Sequence, residues 1–184
     1  MSKRGSLIFK GLYVFSWIIF VGLCIEAGGL VVNFAFSVCK PEFVPNLYQK
    51  LDLSEIYHRN EFAFFGMYSF ILVISILKAY LFFVVIMLLS KLNLSKPFSS
   101  FVSGKITQIS YCTFAIGILS YIARQTAQSL QYHGFDVSNL GEFWEDSQAF
   151  ILMAAVVYVI ATIFKKGVEI QNENDLTVYL CRSL

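Results

Sequence analysis

Four apolar stretches alternate with polar ones along the chain, at about Leu7–Phe36, Phe62–Ser90, Ile106–Gln128 and Phe150–Phe164. Each reaches or approaches the ~20 residues that a helix needs to cross a hydrocarbon layer about 30 Å thick. The first two exceed that length, which predicts tilt or projection beyond the layer. The fourth is the shortest and ends abruptly at Lys165-Lys166. Between them lie a first loop (about 37–61), a short second loop (91–105) and a third loop (about 129–149), with a tail over 165–184. Pro41 and Pro45 interrupt the first loop, and its second half, Asn46–Glu61, is predicted as an interfacial helix. No repeat or low-complexity linker divides the sequence, so residues 1–184 are expected to form one membrane domain: an all-α bundle of four transmembrane helices.

Composition strengthens this reading. Of the 184 residues, 57% are hydrophobic and only 14% charged, against roughly 25% charged in a soluble domain. Mean hydropathy is +0.66, so lipid is the expected solvent and first partner. The net charge of +2 is dispersed along the chain, which argues against direct nucleic-acid binding. The N-terminal apolar run is too long for the h-region of a signal peptide and is read as a retained first helix.

Lys and Arg positions set the orientation. With the N-terminus inside, Lys3, Arg4, Lys10, Lys91, Lys96, Lys105, Lys165, Lys166 and Arg182 face the cytoplasm. The other side holds Lys40, Lys50 and Arg59, with Arg124 near a helix end. Both termini and the second loop are therefore expected inside, in a multi-pass membrane protein; the family likeness described below adds that the membrane would be a bacterial inner membrane.

Enzyme signatures are missing from the sequence. Cys24, Cys39, Cys112 and Cys181 form no CxxC pair, which argues against a quinone-linked thiol oxidoreductase. His58, His133 and Cys39 have no metal-binding spacing. The acidic-aromatic patch over 142–146 reads as an interfacial Trp144 anchor rather than a cation site. There is no GxSxG, P-loop or nucleotide fingerprint, so no catalytic residue and no cofactor is predicted.

Three charges fall inside the apolar stretches. Helical rise puts Glu26 about 22 Å, Lys78 about 16 Å and Arg124 about 27 Å above the inner boundary. An unpaired charge at such depth is costly, so a Glu26–Lys78–Arg124 network is expected. Gly11, Gly22, Glu26, Gly29 and Asn33 would form its stripe on the first helix, and Thr107, Ser110, Gly117, Tyr121, Arg124 and Gln128 that on the third. Ser75 adjoins Lys78 on the second helix, and Tyr158 and Thr162 lie on the fourth. Such a network either fixes helix register or lines a polar cavity for a ligand or proton. A lone Glu in a first helix also resembles small multidrug transporters, whose length and pattern this chain does not share.

Two segments carry a more specific likeness. One is the loop Lys91-Leu-Asn-Leu-Ser-Lys-Pro97-Phe98-Ser, with Lys105-Ile-Thr-Gln-Ile-Ser after it. The other is the ending Ile163-Phe-Lys-Lys-Gly167-Val-Glu-Ile-Gln-Asn-Glu-Asn-Asp175-Leu176-Thr-Val. Together they resemble a family of bacterial four-helix membrane proteins labelled only as domain of unknown function 2975. The Lys105 stretch is less basic than the family's Arg-rich version, and the chain runs on past Val178. The resemblance implies a non-enzymatic membrane sensor or regulator that controls a small Xre/Cro-like helix-turn-helix protein. Pro97, Phe98, Gly167, Asp175 and Leu176 are then the candidate partner-binding residues, with a homo-oligomer left open. The rival reading is a small transporter or channel built on the intramembrane charges.

Overall fold

The structure is a computed structural model. It describes residues 3–39, 54–92, 97–135, 137–144 and 146–182, the side chains of 3–6, 54, 55, 58, 138, 139, 142 and 175–182 excepted. The helices are α1 (Lys3–Cys39), α2 (Ser54–Arg59), α3 (Glu61–Lys91), α4 (Ser100–Tyr132) and α5 (Ser147–Arg182), with a 3-10 turn at Ser138–Phe143. Four of them, α1, α3, α4 and α5, are long and apolar enough to cross a membrane. The expected four-span all-α membrane fold is what the chain adopts.

Local chemistry sets the helix starts. Asn60 is the extended residue between α2 and α3, and its side chain accepts from the backbone N–H of Phe62 and Ala63, which satisfies two of the orphan donors at a helix start. Ser99 does the same for Val102 at the start of α4. At the other end of α4, Gly134 takes a φ of +81°. There its N–H reaches Gln131 O and that of Phe135 reaches Leu130 O, the paired closure that a left-handed glycine permits.

The helices run up and down in an open row, α1 beside α3, α3 beside α4, α4 beside α5. Cross-helix contacts fix the antiparallel register. Phe20 meets Phe83 while Phe34 meets Phe65, and Cys112 Sγ approaches Leu77 O. The start of α1, the connection between α3 and α4, and the extension of α5 therefore share one end, called here the terminal end.

The hydrophobic core lies toward the opposite, far end. Phe64, Met67, Tyr68, Ile71 and Ile74 of α3 pack with Leu30, Ile116 and Ala123. The turn residues Val137, Leu140 and Trp144 close that core over α2's Ile56. Arg59 ties the two far-end connections together: its Nη1 donates to Gly134 O at 3.2 Å and its guanidinium lies 4.9 Å from the Phe135 ring centre.

Only 6% of α1's apolar window is buried, against 39% of α4's, so α1 is a flanking helix. Its buried residues Ser16, Ala27, Leu30 and Ser37, with the half-buried Tyr13, Phe20, Leu23 and Phe34, fall at alternating spacings of three and four, the seam of a two-helix contact. The buried Tyr68 hydroxyl donates to Leu30 O at 2.9 Å across this seam. The Gly11–Asn33 stripe expected from sequence needs correction. Gly11 and Gly22 are exposed with open space around them, and Glu26, Gly29 and Asn33 are half-buried.

The largest departure from expectation is at the C-terminus. The segment from 165 onward, read as a tail, continues α5 without a break to Arg182, a helical extension about 27 Å long. The interfacial helix expected over Asn46–Glu61 is represented by α2; residues 46–53 lie outside the described residues.

Candidate functional site

The spans α4 and α5 approach closely where they cross. A Cβ on Gly117 would stand 2.7 Å from Ile151 Cγ1 and 3.0 Å from its backbone N, so only glycine lets these backbones come so near. Ser110 Oγ then donates to Ala154 O at 3.0 Å, still holding the helices together. Beyond Ser110 they part toward the terminal end, leaving a cleft of about 500 Å³ between Ser100–Tyr111 and Tyr158–Glu169.

The cleft walls carry polar groups in two states. Thr107 and Thr162 donate back to Ser103 O and Tyr158 O, each at 3.0 Å, so their hydroxyl protons are used within their own helices. Ser103 is only 7% exposed, and its hydroxyl has no hydrogen-bond partner among the described residues. Tyr111 and Tyr158 stand at the deep end with ring centres 6.4 Å apart. Lys165 lines the shallow end and makes no ion pair among the described residues. Glu169 also lines the cleft, but its Oε2 is held 2.7 Å from Lys166 Nζ.

An aromatic clasp bridges the mouth. Phe98, just before α4, lays its ring across α5, 5.3 Å between centres from Phe164. The same ring covers Gly167, where a Cβ would come within 2.7 Å of Phe98 Cε1. Gly167 is therefore not a helix stop, as its position after Lys165-Lys166 invites one to read it, but a seat for Phe98 inside a continuous helix. Half-buried Pro97 adjoins this contact. Of the sequence-predicted partner residues, Phe98 and Gly167 meet each other; the side chains of Asp175 and Leu176 lie outside the described residues.

The three intramembrane charges are not brought together. Among the described residues no ion pair joins Glu26, Lys78 and Arg124. Glu26 is half-buried beside the α1 seam. The Lys78 ammonium lies 6.0 Å from the Phe150 ring centre, a cation–π contact that tempers its desolvation. Arg124 is exposed and lines a separate hollow of about 360 Å³ near the far end with Gln128, Gln131 and Trp144. Helix order separates Glu26 from Arg124: α1 packs on α3, and α4 lies on the other side of α3. On the third apolar stripe, Ser110 and Gly117 do face a neighbour, whereas Tyr121, Arg124 and Gln128 are exposed.

Sequence reasoning named Thr107, Tyr158 and Thr162 but missed Ser100, Ser103 and Lys165 as parts of one site. The available signal was hydroxyl spacing: 100, 103 and 107 share one helix face, as do 158, 162, 165 and 169.

A family model described as protein of unknown function (DUF2975) matches residues 40–178. The chain belongs to this family. The match takes in α2 to α5, with the cleft and clasp, and begins just after α1. No curated protein and no solved structure matches the chain.

Proposed function

We propose that this DUF2975 member is a regulator of a bacterial inner membrane, with its terminal end in the cytoplasm and the α5 extension as its output. The observation that carries the reading is the Phe98 ring seated on Gly167 and Phe164, where α5 leaves the apolar span. Any shift between α4 and α5 must move that ring relative to the extension, because Phe98 precedes α4 by two residues. A switch needs two discrete packings that a signal biases. The spans offer the asymmetry for one, a packed far end and an open terminal end.

Charge supports the orientation. Lys10, Lys91, Lys105, Lys165 and Lys166 gather at the terminal end, the side that the positive-inside rule assigns to the cytoplasm. The partner class is the small helix-turn-helix protein implied by the family resemblance, taken up by the 91–99 connection and the α5 extension. A transporter built on Glu26, Lys78 and Arg124 has no comparable support, since no ion pair joins the three among the described residues.

The test is copurification with a coexpressed small DNA-binding protein encoded nearby. Truncation after Gly167 is expected to abolish capture, and Phe98→Ala to weaken it, with both variants still inserted. Wild-type capture by both folded variants would overturn the reading.

A further inference from the structure

We propose that the α4–α5 cleft binds the phosphate headgroup of an anionic phospholipid drawn from the leaflet at the terminal end. This deepens the regulator reading by naming what occupies the cleft. It rests on that reading only for its consequence, because binding is measured without any protein partner.

The chemistry of the walls selects the ligand's charge. The groups left to donate are the Lys165 ammonium and the hydroxyls of Ser103, Tyr111 and Tyr158, none of which has a hydrogen-bond partner among the described residues. Ser103 is the most informative, since it is nine-tenths buried yet lines the cleft. Its hydroxyl opens onto the cleft, where a ligand oxygen can accept from it. The one carboxylate on the wall, Glu169, is paired with Lys166 at 2.7 Å, which offsets part of its repulsion. An excess of donors around a cation is a site for phosphate oxygens.

Position selects the ligand's body. The cleft spans twelve residues of each helix, from Ser100 to Tyr111 and from Glu169 to Tyr158, about 16 Å along the axis. It crosses the level of Lys105 and Lys165, where apolar span gives way to charged sequence. Its deep end adjoins Phe114 and Val159, both exposed on the membrane-facing surface. A ligand whose phosphate sits at Lys165 and Ser103 can therefore run its apolar part past Tyr111 and Tyr158 into the bilayer. At about 500 Å³ the space falls within the range of about 300–1,000 Å³ usual for small-molecule sites.

The experiment is native mass spectrometry of the full chain in detergent, titrated with phosphatidylglycerol or phosphatidylcholine and, separately, with inorganic phosphate. Phosphatidylglycerol is expected to bind more tightly than phosphatidylcholine. Lys165→Gln should weaken it roughly tenfold, the usual effect of losing one hydrogen bond to a charged group, and Ser103→Ala should weaken it less. Glu169→Gln should tighten it, by removing a negative wall group and freeing Lys166. Lys91→Gln removes the same charge at the same end but lies outside the cleft, so it should leave affinity unchanged. Both Lys165 and Lys91 are exposed, so folding is preserved in the comparison. Equal losses for Lys165→Gln and Lys91→Gln would mean diffuse attraction and overturn the site. So would equal binding of the two lipids. Saturable phosphate binding that displaces phosphatidylglycerol would make this a soluble anion's site and overturn the lipid assignment.

Discussion

Replacing Gly117 by Ala adds one carbon where the α4–α5 crossing has no room for it. The new Cβ would meet Ile151 Cγ1 at 2.7 Å, its N at 3.0 Å and its Cα at 3.4 Å. A rotamer change can relieve the first contact, but the other two are with backbone, so the helices must separate by a few tenths of an ångström. Overpacking of this kind costs about 1–3 kcal/mol. Gly→Ala in a helix also gains up to ~1 kcal/mol from chain entropy, which masks part of the loss. Gly104→Ala supplies the reference: it lies on the same helix, and its Cβ would meet nothing within 4 Å. The difference between the two variants isolates the contact and should equal about 1–3 kcal/mol, with Gly104→Ala neutral or stabilising. The assay is denaturant unfolding in mixed micelles followed by circular dichroism. Ile151→Ala in the Gly117→Ala background should recover part of the loss, because it removes the side-chain contact and leaves the backbone one. Equal shifts for Gly104→Ala and Gly117→Ala would refute the close approach.

Three further outcomes follow from other contacts. Tyr68→Phe removes the hydroxyl that holds Leu30 O and should cost about 0.6–1 kcal/mol in the same assay, with faster backbone exchange along α1 near Leu30. Asn60→Ala removes the cap on Phe62 and Ala63 and should cost about 1 kcal/mol; unchanged exchange at those two amides would contradict the capping account. The Glu26→Ala and Arg124→Ala effects should add within about 0.5 kcal/mol, because no ion pair joins the two residues; a larger coupling would show that they interact.

Period and composition made the four spans legible because a membrane leaves few alternatives: 20-residue apolar runs must be helices. Their ends were less legible. Gln171, Asn172, Glu173 and Asn174 look like a solvated tail, yet nothing in them forbids a helix, and Gly167 is there for the Phe98 ring. Among the described residues no ion pair joins the expected charge network, and helix order accounts for the separation of Glu26 from Arg124. Rise per residue gives depth, but not which helix neighbours which, and the row α1–α3–α4–α5 separates Glu26 from Arg124. The cleft was legible only in fragments, since hydroxyls on two helices become one site only when a crossing point such as Gly117 is known.

The central claim, that the lysine-rich end with the α5 extension faces the cytoplasm, is tested most directly by cysteine accessibility in intact cells. In a chain whose four cysteines are replaced, single cysteines go at Glu173 on the extension and at Gln131 at the far end, both exposed. An impermeant thiol reagent should label the Gln131 variant in intact cells and the Glu173 variant only after the membrane is opened. Labelling of Glu173 in intact cells, with Gln131 protected, would contradict the account.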